Sequence, residues 1–286
     1  MAHAFRIVNV FTLDGDRFSG NPLCVFEDGR GLSDAEMQAL ARQMNLSETT
    51  FVLPAAGEAT ARVRIFTPGF EMPFAGHPTL GTAHVVRSMQ GDRGDDRVVV
   101  LEMIAGLVPV TSSDDTWTLR AAKPPITRTV AATRAELASM LSLPAAAIAA
   151  EPLWVSTGVE QLVIPVTTVD HVRAASPQPE LLARWGFSEA RDEAMAYVWA
   201  RDGEAITVRF FFTSNGAVLE DPATGSACAN LGGYLIATDA PLPIAWTLRQ
   251  GDAVGRPSRL GLRVEADRAI YVTGNVIEIG RGTIDI

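Results

Sequence analysis

The octapeptide Glu71-Met72-Pro73-Phe74-Ala75-Gly76-His77-Pro78 decides the fold, because its pattern returns as Glu220-Asp221-Pro222-Ala223-Thr224-Gly225-Ser226-Ala227, 149 residues on. An apolar run stands ahead of each Glu-x-Pro-x-x-Gly, Arg64-Ile65-Phe66-Thr67 before one and Arg209-Phe210-Phe211-Phe212 before the other. Small and apolar residues follow each, Thr79-Leu80-Gly81-Thr82-Ala83 and Cys228-Ala229-Asn230-Leu231-Gly232-Gly233. The order strand, loop, buried helix is therefore predicted twice. A repeat this long indicates two duplicated lobes, since solenoid units run to only about 20–50 residues.

The remaining sequence fits that division. At 286 residues, with 47% hydrophobic and 20% charged residues, the chain has the composition of a globular protein able to bury a core in each lobe. Its net charge of −9 comes without any basic run interleaved with aromatics, so neither nucleic acid nor an anionic membrane is expected as a partner. Cys24 and Cys228, and the scattered His3, His77, His84 and His171, have no metal-ligand spacing and suggest no disulfide framework. The beginning, Met1-Ala2-His3-Ala4-Phe5-Arg6, lacks the pattern of a signal peptide, which gives the expectation of a cytoplasmic protein.

Residues 5–11 and 23–26 are predicted strands. Ser33-Asp34-Ala35-Glu36 is a capping box, and Met37, Leu40, Ala41 and Met44 follow at helical spacing up to Asn45, which tolerates the left-handed conformation. A strand over 49–53 then leaves Leu46-Ser47-Glu48 at a helix-to-strand junction. Further strands are predicted at 62–67, 98–101, 107–110 and 117–119. Pro124-Pro125 marks the lobe boundary, and Thr133-Arg134-Ala135-Glu136 signals a new helix beyond it. Strands at 153–156, 161–166, 195–199 and 205–212, with a short helix at 179–185, lead to the second octapeptide. The tail reads as strands at 246–249, 260–264, 270–272 and 276–279. The predicted lobes are residues 1–124, completed by 273–286, and residues 125–272.

Gly76-His77-Pro78 and Gly225-Ser226-Ala227 open the two buried helices. Unpaired amides at a helix start carry partial positive charge, so two such starts facing one another would hold a carboxylate or a developing enolate. The plainer alternative makes Ser226 an N-cap and the glycines packing residues. His77 at a helix start is expected to have a lowered pKa. Asp221 has Met72 as its counterpart, an asymmetry that duplication alone would not require. Glu48, at a junction, reads by itself as a solvated charge. Ser226, His77 and Asp221 could form a hydrolase triad, but no Gly-x-Ser-x-Gly elbow is present. No phosphate-binding glycine loop follows a strand either.

Several blocks resemble the PhzF-like isomerases related to phenazine biosynthesis. They are Gly20-Asn21-Pro22-Leu23-Cys24-Val25-Phe26, Asn45-Leu46-Ser47-Glu48-Thr49-Thr50-Phe51-Val52, the two octapeptides with their extensions, Gln250-Gly251, and Gly255-Arg256-Pro257-Ser258. The resemblance implies an α+β fold of the diaminopimelate epimerase type, two pseudo-symmetric lobes each with a β-barrel-like sheet around a central helix, and a homodimer. It also implies an active site between the lobes, with Glu48, His77 and Asp221 catalytic and Gly76, Gly225 and Ser226 binding substrate. The implied reaction is isomerisation of a small carboxylate of the trans-2,3-dihydro-3-hydroxyanthranilate type, by general acid–base chemistry with no metal or organic cofactor. Epimerases and proline racemases of this fold use one cysteine per lobe, and the matching positions here are Ala75 and Thr224, so two-face racemisation is disfavoured. A non-catalytic protein that binds a small ligand on the same fold is the alternative from another class.

Overall fold

A computed structural model describes residues 2–91, 98–214 and 216–286, which divide into two compact units, 1–120 with 273–286, and 121–272. The first unit contains strands β1 (Ala2–Val10), β2 (Asn21–Phe26), β3 (Glu48–Leu53), β4 (Ala61–Phe66), β5 (Glu71–Met72), β6 (Val98–Met103), β7 (Gly106–Ser113) and β8 (Thr116–Arg120), with helices α1 (Asp34–Met44) and α2 (Gly76–Gln90). In the second are β9 (Ile126–Thr129), α3 (Arg134–Met140), β10 (Leu153–Ser156), β11 (Glu160–Pro165), α4 (Val169–Ala174), α5 (Pro179–Trp185), β12 (Phe187–Ser188), β13 (Glu193–Asp202), β14 (Ala205–Ser214), β15 (Ala217–Asp221), α6 (Gly225–Ala237), β16 (Ile244–Gln250) and β17 (Ser258–Val264). The last strand, β18 (Ile270–Asp285), begins in the second unit and runs on into the first.

In the first unit the sheet closes on itself. β1 pairs antiparallel with β2, β2 parallel with β3, β3 antiparallel with β4, β4 parallel with β6, and β6, β7 and β8 follow as antiparallel neighbours. β18 pairs with both β8 and β1, which completes an eight-stranded barrel and leaves no open edge. The second unit repeats the succession: β10 antiparallel to β11, β11 parallel to β13, β13 antiparallel to β14, β14 parallel to β16, and β16 antiparallel to β17. This is the α+β, pseudo-symmetric architecture of the diaminopimelate epimerase type.

Each sheet wraps a helix that is apolar or small on every side. In α2 every residue from Gly76 to Ala83 is buried, and in α6 every residue from Ala227 to Leu235. An amphipathic helix would expose one stripe; these have none. The helices approach the strands so closely that a side chain would not fit at the contact. A Cβ on Gly81 would lie 2.7 Å from Leu23 and 2.9 Å from Val10, and one on Gly233 2.8 Å from Pro125 and Val155. Because strand side chains alternate, Leu23 faces α2 while Cys24 and Phe26 face outward and pack with Met37, Leu40 and Ala41 of α1. Both faces of β2 are thus covered. On the second unit α3, α4 and α5 cover the outer face, with Leu137, Val172 and Leu182 in one cluster with Leu162, Ile164 and Val198.

Local signals produce the helix boundaries. Ser33 and Glu36 form the reciprocal capping box, Asn45 closes α1 at φ +52°, and Thr133 and Glu136 form a second box at α3. Among the described residues no helix is long and apolar enough to cross a membrane.

Candidate active site

The glutamate of each octapeptide is a brace. Glu71 receives two hydrogen bonds from the Arg64 guanidinium, at 2.7 and 2.6 Å, and Glu220 two from Arg209, at 3.1 and 2.6 Å. Each arginine also lies over a ring of its own strand, Phe66 at 5.0 Å and Phe211 at 4.6 Å. Pairing of Phe66 with Glu71 and of Phe211 with Glu220 makes the two hairpins equivalent, the second continuing through the further pairs Phe212–Leu219, Thr213–Val218 and Ser214–Ala217. Arg209 additionally donates to the carbonyls of Val172, Arg173 and Ala175, which ties α4 to the hairpin. The braces fix where each strand hands over to the buried helix.

In the first unit that hand-over meets Glu48. The left-handed cap at Asn45 turns the chain out of α1, and Glu48 opens β3 opposite Leu23. His77 is the second residue of α2, whose N-cap, Ala75, offers no side-chain acceptor to the amides behind it. The Glu48 Oε2 and His77 Nε2 atoms are 3.4 Å apart, with side chains 15% and 5% exposed. This contact is close but lacks hydrogen-bond geometry, since no hydrogen bond reaches His77 Nε2 among the described residues. Burial brings the His77 pKa down to about 3, and a hydrogen bond to the Pro22 backbone offsets only part of the effect. Proline has no N–H, so the imidazole donates to the Pro22 carbonyl. With Nε2 turned to Glu48, Nδ1 is the donor and Nε2 carries a lone pair in the neutral ring. The lowered pKa expected at a helix start is present, and its leading cause is burial.

In the second unit Asp221 ends β15 and Thr224 occupies the N-cap position of α6, leaving Ser226 inside the first turn. The Thr224 hydroxyl donates to Asp221 Oδ2 at 2.6 Å instead of capping the helix. Gln250, buried at the end of β16, holds this loop: its Oε1 accepts from the Thr224 amide, and its Nε2 donates to the Asp221 carbonyl and to Thr224 Oγ1. Ser226 Oγ accepts from Gln161 Nε2 at 2.9 Å. The loop therefore offers a carboxylate acceptor at Asp221 and a hydroxyl at Ser226, at the start of a helix with no side-chain cap.

Gly76, His77 and Glu48 thus come together in one unit, and Asp221, Gly225 and Ser226 in the other. Sequence reasoning did not single out Gln161, nor the roles of Pro22 and Gln250. Pro22 and Gln250 lie in motif blocks and could have been found there; Gln161 had no signal. Burial pushes the Cys24 thiol up to about 12 and Cys228 higher still, so neither is a base. Among the described residues no three His, Cys, Asp or Glu side chains come together as a metal-binding set.

A model of the family described as phenazine biosynthesis-like protein, PhzC-PhzF, matches residues 8–282. The chain is 38% identical to an isomerase of Pasteurella multocida over 99% of its own length and 94% of that protein. It is 34% identical to the trans-2,3-dihydro-3-hydroxyanthranilate isomerase of Pseudomonas aeruginosa, over 98% of each. In structure it is similar to a PhzF-family phenazine biosynthesis protein from Bacillus anthracis, with TM-score 0.86, 24% identity and full coverage of both chains. A hydroxyproline epimerase from Agrobacterium vitis shares the fold at TM-score 0.67 and 15% identity, over 99% of this chain and 92% of that one.

Proposed function

The chain belongs to the phenazine biosynthesis-like family and is an isomerase, and we propose that it moves a proton between two carbons of a small carboxylated substrate, with Glu48 as both base and acid. The observation that carries this reading is the half-buried Glu48 carboxyl 3.4 Å from the neutral His77 ring. Glu48 takes a proton from a carbon made acidic by conjugation, and the same proton, or one exchanged for it, returns to another carbon, so substrate and product are isomers. A neutral imidazole beside the carboxyl accepts a hydrogen bond or relays a proton without adding a positive charge that would hold Glu48 ionised. In this reading the amides at Gly76 and His77, at the uncapped start of α2, stabilise the charge that develops during transfer.

Asp221, Ser226 and the Gly225 amide bind the substrate's polar groups in this reading, Asp221 taking a donor and Ser226 an acceptor. The neighbouring relative that acts on trans-2,3-dihydro-3-hydroxyanthranilate supplies the first compound to test. We take the working form to be a homodimer, in accord with the family resemblance; sedimentation equilibrium at micromolar concentration measures it. Neither metal nor organic cofactor has a part in this scheme. The test is turnover of trans-2,3-dihydro-3-hydroxyanthranilate in deuterated water by protein dialysed exhaustively against a chelator. Full activity with deuterium at one product carbon supports the proposal. Activity that vanishes on chelation and returns with one metal would refute it, and binding without any turnover would favour the non-catalytic alternative.

A further inference from the structure

We infer that Asn230 and Gln161 form a positioning relay that makes Ser226 a hydrogen-bond donor to an acceptor group of the substrate. The inference rests on the assignment of Ser226 to substrate binding made above. Both amides are buried, Asn230 at 0% exposure and Gln161 at 1%, on different elements, α6 and β11.

The polarity of the relay is set by two backbone groups, whose roles are not interchangeable. The Thr157 amide can only donate, and it lies 2.9 Å from one end of the Asn230 side chain, so that end is the oxygen. The Thr157 hydroxyl donates to the same oxygen at 2.8 Å. The Val159 carbonyl can only accept, and it lies 2.8 Å from the other end, which must be the NH2 group. The second hydrogen of that NH2 goes to Gln161, at 2.7 Å, which identifies the atom it meets as Oε1. Gln161 Nε2 is then the atom 2.9 Å from Ser226 Oγ, and it donates. Ser226 must accept there, so its own hydrogen points away from Gln161.

The consequence is chemical. A serine hydroxyl free to rotate can aim its hydrogen at any acceptor around it; this one has one lone pair engaged by a buried amide donor, which turns its hydrogen away from Gln161. Asn230 makes four hydrogen bonds and cannot turn over without losing the two backbone contacts, each of which would leave a buried polar group unsatisfied. Ser226 therefore keeps its hydrogen for a ligand acceptor, such as a carboxylate oxygen. A strand glutamine and a helix asparagine thereby act on substrate without touching it.

Replacing Gln161 with Glu reverses one bond and keeps the rest. Asn230 still donates to residue 161, but an ionised carboxylate takes the Ser226 hydrogen, leaving none for the ligand. Protonating the new carboxyl restores a donor toward Ser226. Kinetics of wild type, Q161E, S226A and the double variant with trans-2,3-dihydro-3-hydroxyanthranilate between pH 5 and 8 test this. At pH 8, Q161E should lose about 10- to 100-fold in kcat/KM, the size of a hydrogen bond to a charged group, chiefly through KM. The loss should shrink as the pH falls, and in the S226A background Q161E should change kcat/KM by less than about twofold. An equal loss in both backgrounds would mean that Gln161 acts by charge or packing, and would overturn the relay. Neutron diffraction from ligand-free, deuterium-exchanged wild type judges it without any substrate. The expected map has a Gln161 deuteron aimed at Ser226 Oγ; a Ser226 deuteron aimed at Gln161 overturns the proposal. Should wild type leave the compound unchanged, the substrate assignment fails while the neutron map still decides the relay.

Discussion

Acidification is a direct probe of the His77 environment. The imidazole has a pKa of about 3 in the fold against 6.5 when exposed. Below pH 6.5 the unfolded chain therefore binds a proton at this residue that the folded chain refuses until the pH approaches 3. The stability associated with neutral His77 is fully present above pH 6.5 and falls with pH by about 1.4 kcal/mol per unit. Between pH 6.5 and 4.5 the loss is about 2 kcal/mol, a large share of the roughly 5–15 kcal/mol that holds an ordinary domain folded. Most carboxylates titrate near or below about pH 4.3, so the upper part of this window reports mainly on histidine.

His77→Gln keeps an amide donor for the Pro22 carbonyl and removes the titration. Hydrogen exchange along α2 and urea denaturation, measured on wild type and variant at half-unit steps, give the two slopes. The wild type should lose about 2 kcal/mol more than the variant across the window. Parallel slopes, or an NMR titration of the His77 ring with its midpoint near 6.5, would refute the buried neutral imidazole and the lone pair facing Glu48.

Two further perturbations address the frame of the site. Arg209→Leu leaves Glu220, whose side chain is 8% exposed, as a buried charge without its bidentate partner, and frees the α4 carbonyls. Denaturant unfolding of the second unit should show a loss of about 3–5 kcal/mol, whereas a loss below about 1 kcal/mol would contradict the brace. Cys24 and Cys228, with thiol pKa values raised by burial, should resist alkylation at pH 8 in the native protein and react within minutes in denaturant; rapid native labelling would show that the thiols are accessible.

The features legible in the sequence are those fixed by local chemistry or by the repeat. The capping boxes at Ser33 and Thr133 and the left-handed Asn45 depend on a few neighbouring residues, and they occur as read. The buried helices after Gly76 and Gly225 were visible as small-residue runs wherever they pack. What escaped depends on register or contact between distant segments. The braces Arg64–Glu71 and Arg209–Glu220 were within the quoted runs, yet their partnership needs the hairpin pairing, which the longer strands of the second hairpin obscure by spacing its Arg and Glu further apart. β9 is exposed along its whole length and carries no alternation, and α4 has only six residues, too few for a periodic signal. Gln161 belongs to a strand, where an amide ordinarily reads as surface; only its neighbours on α6 give it a role. Ser226, open to reading as a cap, is inside the helix, and the cap position belongs to Thr224, whose hydroxyl is committed to Asp221.

The central claim is that Glu48 carries the proton, and the most direct measurement compares wild type with Glu48→Gln on trans-2,3-dihydro-3-hydroxyanthranilate in deuterated water. Glutamine preserves the size of the side chain and its place at the start of β3 but cannot accept the proton. Turnover should fall by about 10²- to 10⁴-fold, with deuterium incorporation into product falling in parallel while affinity is largely kept. Equal rates and equal deuterium incorporation in the two proteins would contradict the account and return Glu48 to a structural residue at the turn into β3.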